Sequence, residues 1–338
     1  MNFSRMSLLD RRYRLTHVLA RHDTETHYAA RHVALDRSVR LIVFPESPTV
    51  TLDEVSAWTM RAAALRHPVL PRVRDCFRVE ESICVVMDEP RGQRLGERLR
   101  ERGPLTEREA IAVGILVADA LDTLLRRDEG LVPLTCLTPN ALTLSSDDRV
   151  TLAYLRPRPL LSRATGCRCA ACRAYLAPEL LLDEETDVRS DLFSLAAVLR
   201  HALSVGAVAG AHTQAIESVA VRTNAVLSQV LDRALARDPH ERSQSPAEFA
   251  SALVEASAAL PNSSLQSTRE TVLTGQNQRG VTSDSRLTDT KAATVGARTT
   301  HVATASNGAM SPADVRTRAR QRGRRALVAL TTALHISA

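Results

Sequence analysis

Residues 131–144 read LVPLTCLTPNALTL. Apolar residues lead in, a Leu-x-Pro corner at 137–139 turns the chain, and a short apolar strand leads out. The corner has the rhythm of a loop that presents a carboxylate, an ammonium and an amide. Cys136, Thr138 and Ala141 stand at those places. The patterning on either side decides what kind of loop this is.

Upstream, residues 13–20 (YRLTHVLA), 26–35 (THYAARHVAL) and 38–45 (SVRLIVFP) alternate in short bursts and read as three antiparallel strands. Residues 51–67 have helical spacing, and Thr51 with Glu54 three residues on predicts a capping box. Residues 71–80 and 82–90 read as two more strands, and 94–103 and 106–128 as helices. Downstream come two small strands at 141–144 and 149–155, an irregular cysteine-bearing stretch, and helices at 189–204, 224–238 and 246–260. A strand-rich small half thus precedes a helix-rich larger half, an α+β order.

The 338 residues are 44% hydrophobic and 24% charged, room for one large domain or two small ones. Aromatics are only 3%, so the core rests on Leu, Val, Ile and Ala. The net charge of +6 is unevenly placed, because eleven basic and four acidic residues stand beyond Glu255. The single lysine, Lys291, lies in that tail, and arginine is not a like-for-like replacement for lysine. The N-terminal MNFSRMSLLDRRYRL holds no apolar run long enough for a secretory signal, so a cytoplasmic chain with reduced thiols is expected. Beyond about Leu260 the chain is rich in Thr, Ser, Gly, Asn and Ala without an apolar period, and it should be disordered.

Six segments in order carry a resemblance: RAAALRHPVLPRV (61–73), VVMDEPRGQRL (85–95), LTCLTPNALTL (134–144), YLAPELL (175–181), VRSDLFSLAAVL (188–199) and ALARDPHERSQSPAEFASAL (234–253). Together they make the chain resemble a bacterial serine/threonine protein kinase domain over roughly Tyr13 to Ala256. The resemblance implies an α+β, bilobal protein kinase-like fold. A small five-stranded N-lobe with one helix is followed by a larger helical C-lobe and a disordered tail. The implied division is an N-terminal extension at 1–12, the kinase-like domain at 13–258, a disordered Thr/Ser-rich linker at 259–314 and a basic tail with a short apolar helix at 315–338.

The structural marks of that family are present. The resemblance pairs Glu179 of Ala177-Pro178-Glu179 with Arg242. It also has Asp191 open a central helix and accept backbone N–H groups of the 134–141 loop.

The chemical marks are missing. Phosphoryl transfer needs positioned phosphates, metal ions and a group that handles the hydroxyl proton. Ala20, His22 and Glu25 stand where the family has three phosphate-approaching glycines, and Glu25 would repel phosphate. The strand lysine falls on Ile42, with Arg40 one pleat earlier on the same face. Its helix glutamate falls on Trp58, and losing both avoids one unmatched buried charge. The His-Arg-Asp triplet becomes Leu134-Thr135-Cys136, Thr138 and Ala141 replace the lysine and the metal-binding asparagine, and Asn140 is one position short. The metal-binding Asp-Phe-Gly becomes Tyr154-Leu155-Arg156, and a neutral phenol is a poor Mg²⁺ ligand. At the hinge Met87 is the gatekeeper, and Pro90, which has no N–H, falls where the adenine donor belongs.

The resemblance therefore implies a pseudokinase with no catalytic residues and no ATP or Mg²⁺ as cofactor. Its role would be that of a signalling scaffold or regulator acting through contacts with other proteins. The alternative is a weakly active or atypical serine/threonine kinase or transferase using ATP, with chemistry through Cys136.

Cys167, Cys169 and Cys172 form a C-x-C-x-x-C set that suits three of the four tetrahedral positions of Zn²⁺, with the fourth open to Cys136, a histidine or a partner residue. A redox-sensitive loop and a loop of no special role stay open beside that reading. Residues 315–325 carry six arginines and run into thirteen mostly apolar residues, against roughly 20 needed to cross a bilayer. Three readings stay open: the start of a membrane span, an interfacial helix on anionic lipid, or a basic helix that docks to a partner. No aromatic residues interleave with the arginines, so no nucleic-acid partner is expected. Thr268, Thr271 and Thr274 are candidates for phosphorylation by an active kinase and reading by a phosphothreonine-binding protein, or else belong to a passive spacer.

Overall fold

Val, Ile, Tyr and Phe suit a pleated, half-buried surface, and residues 13–88 use them to build one antiparallel sheet. The structure, a computed structural model, describes residues 8–22, 25–127, 134, 137–146, 149–156, 170–182, 184–204 and 223–260. The strands are β1 (Tyr13–Arg21), β2 (Thr26–His32), β3 (Arg37–Pro45), β4 (Val73–Val79) and β5 (Ser82–Asp88), in spatial order β1-β2-β3-β5-β4.

Their period of two divides the sheet into two faces. One face buries Tyr28, Val39, Leu41, Val43, Cys84 and Val86. On it Tyr13 of β1 stacks on Phe77 of β4, 5.4 Å between ring centroids. Those strands are the two edges, so the sheet curls strongly around a core of its own. The other face carries Ala20, His27, Ile42 and Val85 in one cross-strand row, with Arg40 opposite Met87 in the next.

Helix α1 (Leu52–Ala63) begins with the capping box read from the sequence. The Thr51 hydroxyl accepts from the Glu54 N–H at 3.3 Å, and the Glu54 carboxylate accepts from the Thr51 N–H at 3.1 Å. Two donors that no helical carbonyl can reach are thereby satisfied. The helix buries Val55, Trp58, Thr59 and Ala62 and packs beside β4. Thr51→Ala should lower domain stability by about 1 kcal/mol. The check is the urea midpoint at unchanged slope, and an unmoved midpoint would show the box to be idle.

The C-lobe is built from α2 (Leu95–Arg102), α3 (Glu107–Arg127), α4 (Ala170–Arg173), α5 (Pro178–Leu181), α6 (Val188–Leu203), α7 (Ala225–Ala234) and α8 (Pro246–Ala258). Fourteen of the sixteen residues of α6 are buried, which marks it as the central helix. Helix α3 packs on α6 and α8. Gly114 permits that approach, since a β-carbon there would lie 2.8 Å from Leu199 of α6 and 2.6 Å from Leu253 of α8.

The small strands differ from their sequence reading. Ala141 joins a 3₁₀ turn at Pro139–Ala141, β7 covers Leu142–Leu144, and β8 stops at Leu152 after Val150–Leu152. The Ala153 N–H donates to the Ala141 carbonyl at 2.8 Å, the next pair in the β7–β8 register. A two-residue strand, Gln93–Arg94, too short for any periodic signal, pairs with β7; in chain order it is β6, and the sheet runs β6-β7-β8. Gly92, at φ 119°, makes the turn into it. The linker, its threonines and the arginine run lie outside the described residues. No helix among the described residues is long and apolar enough to cross a membrane.

Candidate functional site

Two arrangements hold the large lobe together below the interlobe cleft. Arg242 is fully buried and forks onto Glu179, Nη1 to Oε1 at 2.7 Å and Nη2 to Oε2 at 2.8 Å. Its remaining donors reach the carbonyls of Ala236 at 2.8 Å and Arg237 at 3.0 Å, and Phe193 lies beneath the guanidinium. The Ser190 hydroxyl donates to Glu179 Oε1 at 2.7 Å. Burial acts to raise the Glu179 carboxyl, and the bonds from Arg242 and Ser190 overcome it and hold it below the ordinary range. Asp191, also fully buried, accepts the Leu134 N–H on both oxygens, at 2.9 and 2.8 Å. These contacts anchor the loop quoted at the outset to the central helix.

The cleft itself is filled from within. Arg40 leaves β3 on the same face as Ile42, 2% exposed. It grips Glu89 of the hinge, Nε to Oε2 at 2.9 Å and Nη2 to Oε1 at 2.8 Å. Its guanidinium lies 5.8 Å from the centroid of the Tyr154 ring. Tyr154 in turn meets His27 edge to face, 4.6 Å between centroids. His27 Nε2 lies 2.8 Å from Glu25 Oε1, and Glu25 Oε2 accepts from Arg156 Nε at 3.2 Å and pairs with its Nη2 at 3.1 Å. Burial works to raise the Glu25 carboxyl, but the His27 hydrogen bond and the Arg156 charge bring it down to about 2. Burial also lowers His27, against the pull of Glu25. Behind this row the Leu155 N–H donates to the Met87 Sδ at 3.4 Å.

The degenerate positions thus fall into place unequally. Ala20, Ile42 and His27 share one row of the sheet, and His22 closes the β1–β2 turn by donating its N–H to the Glu25 carbonyl at 2.8 Å. Trp58 is buried in α1 with its indole N–H unpartnered. Thr138 and Ala141 are buried in the 3₁₀ turn, and exposed Asn140 stands against Gly96 of α2. Pro90 follows Glu89, half-buried. Cys136, Cys167 and Cys169 lie outside the described residues, while Cys172 is buried within α4. Glu25, expected to repel phosphate, is instead neutralised inside the protein by Arg156. The partners the sequence reading missed are His27, Glu89 and the role of Arg156. Glu25 and His27, two apart on an extended segment, share a face, which is the one local signal available.

This set does not fit a magnesium nucleotide. Mg²⁺ takes charged oxygens in near-octahedral array, and Ala141 and Tyr154 supply none. The only carboxylates of the filled row, Glu25 and Glu89, are each engaged by an arginine.

The fold and these positions define a protein kinase-like domain of the bacterial serine/threonine class. No protein-family model matches the chain. The chain is 30% identical over 269 residues to serine/threonine-protein kinase PknJ of Mycobacterium tuberculosis, covering 72% of this chain and 45% of that protein. It is 29% identical over 209 residues to serine/threonine-protein kinase PknL of the same species, covering 59% and 50%. The chain therefore spans about half the length of the curated relatives it matches. A crystal structure of Rad53 1-466 in complex with AMP-PNP shares the fold at a TM-score of 0.56 and 17% identity, covering 71% of this chain and 64% of that one.

Proposed function

We propose that the kinase-like domain is catalytically inactive and serves as a signalling scaffold or regulator through protein–protein contacts. One observation carries this reading: the continuous row Glu89–Arg40–Tyr154–His27–Glu25–Arg156 stands at the positions of hinge, metal aspartate and phosphate loop. A nucleotide entering there would have to break two arginine–carboxylate pairs, and would find no carboxylate at Tyr154 and no amide at Ala141 to hold its Mg²⁺. Losing phosphate donors and metal ligands together removes far more than the few kcal/mol of one charge-stabilising group. The buried contacts of Glu179, Asp191 and Arg242 meanwhile maintain the shape on which a partner would dock. The partners we propose are other signalling proteins on the cytoplasmic side, among them an active kinase acting on the threonines at 268–274.

Millimolar ATP with Mg²⁺ is expected to leave the thermal midpoint of the purified chain unmoved, with no phosphate transferred to itself or to a generic protein substrate. A saturable rise of several degrees would count against the proposal. Autophosphorylation that disappears in Cys136→Ala would overturn it in favour of an atypical transferase.

A further inference from the structure

The geometry points to a first-row transition-metal site, zinc being the ion it suits, at the closed end of the β1–β2 hairpin, formed by His22, Glu25 and His27. The inference stands on these three residues and not on whether the domain is inactive.

The backbone sets the group up. The His22 N–H bonds the Glu25 carbonyl at 2.8 Å and closes the turn. Glu25 and His27 then point to the same face. One donor atom from each of the three residues lies within 4.8 Å of the others. A tetrahedral ion at about 2.0–2.2 Å from each ligand sets donors about 3.4 Å apart, so the most widely spaced pair would close by up to about 1.4 Å. The His22 and His27 rings stand 5.1 Å apart between centroids, with their planes at 61°.

The second observation is His27 itself. Its side chain is fully buried, Nε2 faces Glu25, and Nδ1 has no hydrogen-bond partner. Coordination through Nε2, the nitrogen that faces Glu25, would replace the hydrogen bond between the two residues by a shared ion, while Nδ1 lies on the other side of the ring.

The ligand set selects the ion. Two imidazoles and one carboxylate, with a further position open, match zinc coordination. Mg²⁺ and Ca²⁺ need more oxygens than the site offers. Arg156 on the second oxygen of Glu25 would orient the carboxylate as an outer partner does.

The test uses the full-length chain, stripped with chelator and titrated with Zn²⁺ alone. Because the cysteine cluster could take zinc independently, the background carries Cys167→Ser, Cys169→Ser and Cys172→Ser. This background is expected to keep one equivalent of zinc by metal analysis and to gain thermal stability on adding it. Adding His22→Ala, or His22→Gln if the first folds poorly, should weaken binding by at least about 100-fold, since losing an outer partner alone costs about 10- to 100-fold. His22 is only half-buried, so the fold should survive both changes. A background chain that holds no zinc, or one whose affinity is unchanged by removing His22, would overturn the inference. Either result would leave the ATP experiment untouched.

Discussion

Arg242→Met is expected to lower the unfolding free energy by about 3–5 kcal/mol, the cost of stranding one partner of a buried ion pair. The guanidinium is enclosed, and Glu179 would keep only the Ser190 hydroxyl as a side-chain partner among the bonds described. The carbonyls of Ala236 and Arg237 would lose their charged donor as well. Against a total stability of about 5–15 kcal/mol, this brings the domain near its threshold. Urea denaturation reads the effect, and a loss under about 1 kcal/mol would show the pair to be dispensable. Adding Glu179→Leu should recover part of the loss, because an apolar pair leaves no uncompensated charge.

The same pair fixes a dependence on pH. The folded Glu179 carboxyl lies below its ordinary 4.5. Its contribution is therefore complete above that value and is lost as pH falls through the folded pKa. Wild type should lose stability on acidification through that window. Arg242→Met, which no longer holds the carboxyl down, should lose less.

Arg156→Met should have an effect of similar size, about 3–5 kcal/mol, for the same physical reason in the cleft. Glu25 would remain buried as a carboxylate with His27 as its side-chain partner. Glu25→Gln combined with Arg156→Met separates the interaction from the two sites. The coupling energy of that cycle should fall in the range of about 0.5–3 kcal/mol found for residues in direct contact. Additive losses would mean that the pair does not hold the hairpin to the segment after β8. Hydrogen exchange should quicken in β1 and β2 when the pair is broken and stay slow in α6.

Much of the fold could be read in advance because its signals are local. Thr51 and Glu54 are three residues apart, and the box between them needs nothing else. The runs that became β3, β5, α3 and α6 have periods that one segment reveals by itself. Gln93–Arg94 has no period, and it is defined only by the strand it meets. The strand read at 149–155 ended early because its partner strand begins only at Leu142, after the 3₁₀ turn at Pro139–Ala141. In the sequence the site reads as a set of departures from the family pattern: Glu25 at a glycine place, Ile42 at a lysine place, Tyr154 at an aspartate place. Its new bonds were not legible. Arg40 and Glu89 are 49 residues apart, and Glu25 and Arg156 are 131 apart. No rule of spacing joins such residues, and charge alone suggested that Glu25 would repel a ligand when it had an internal cation.

The Glu25–Arg156 pair also bears on motion. Two-lobed domains close by rotating about a hinge. Here the tip of one lobe is riveted to the floor beneath it, and Arg40 is riveted to the hinge. The outward surfaces of both lobes then stand in one fixed relation. A protein gripping both at once would spend no free energy arranging them. On the inactive reading proposed above, the domain would offer the same template whatever the nucleotide level in the cell.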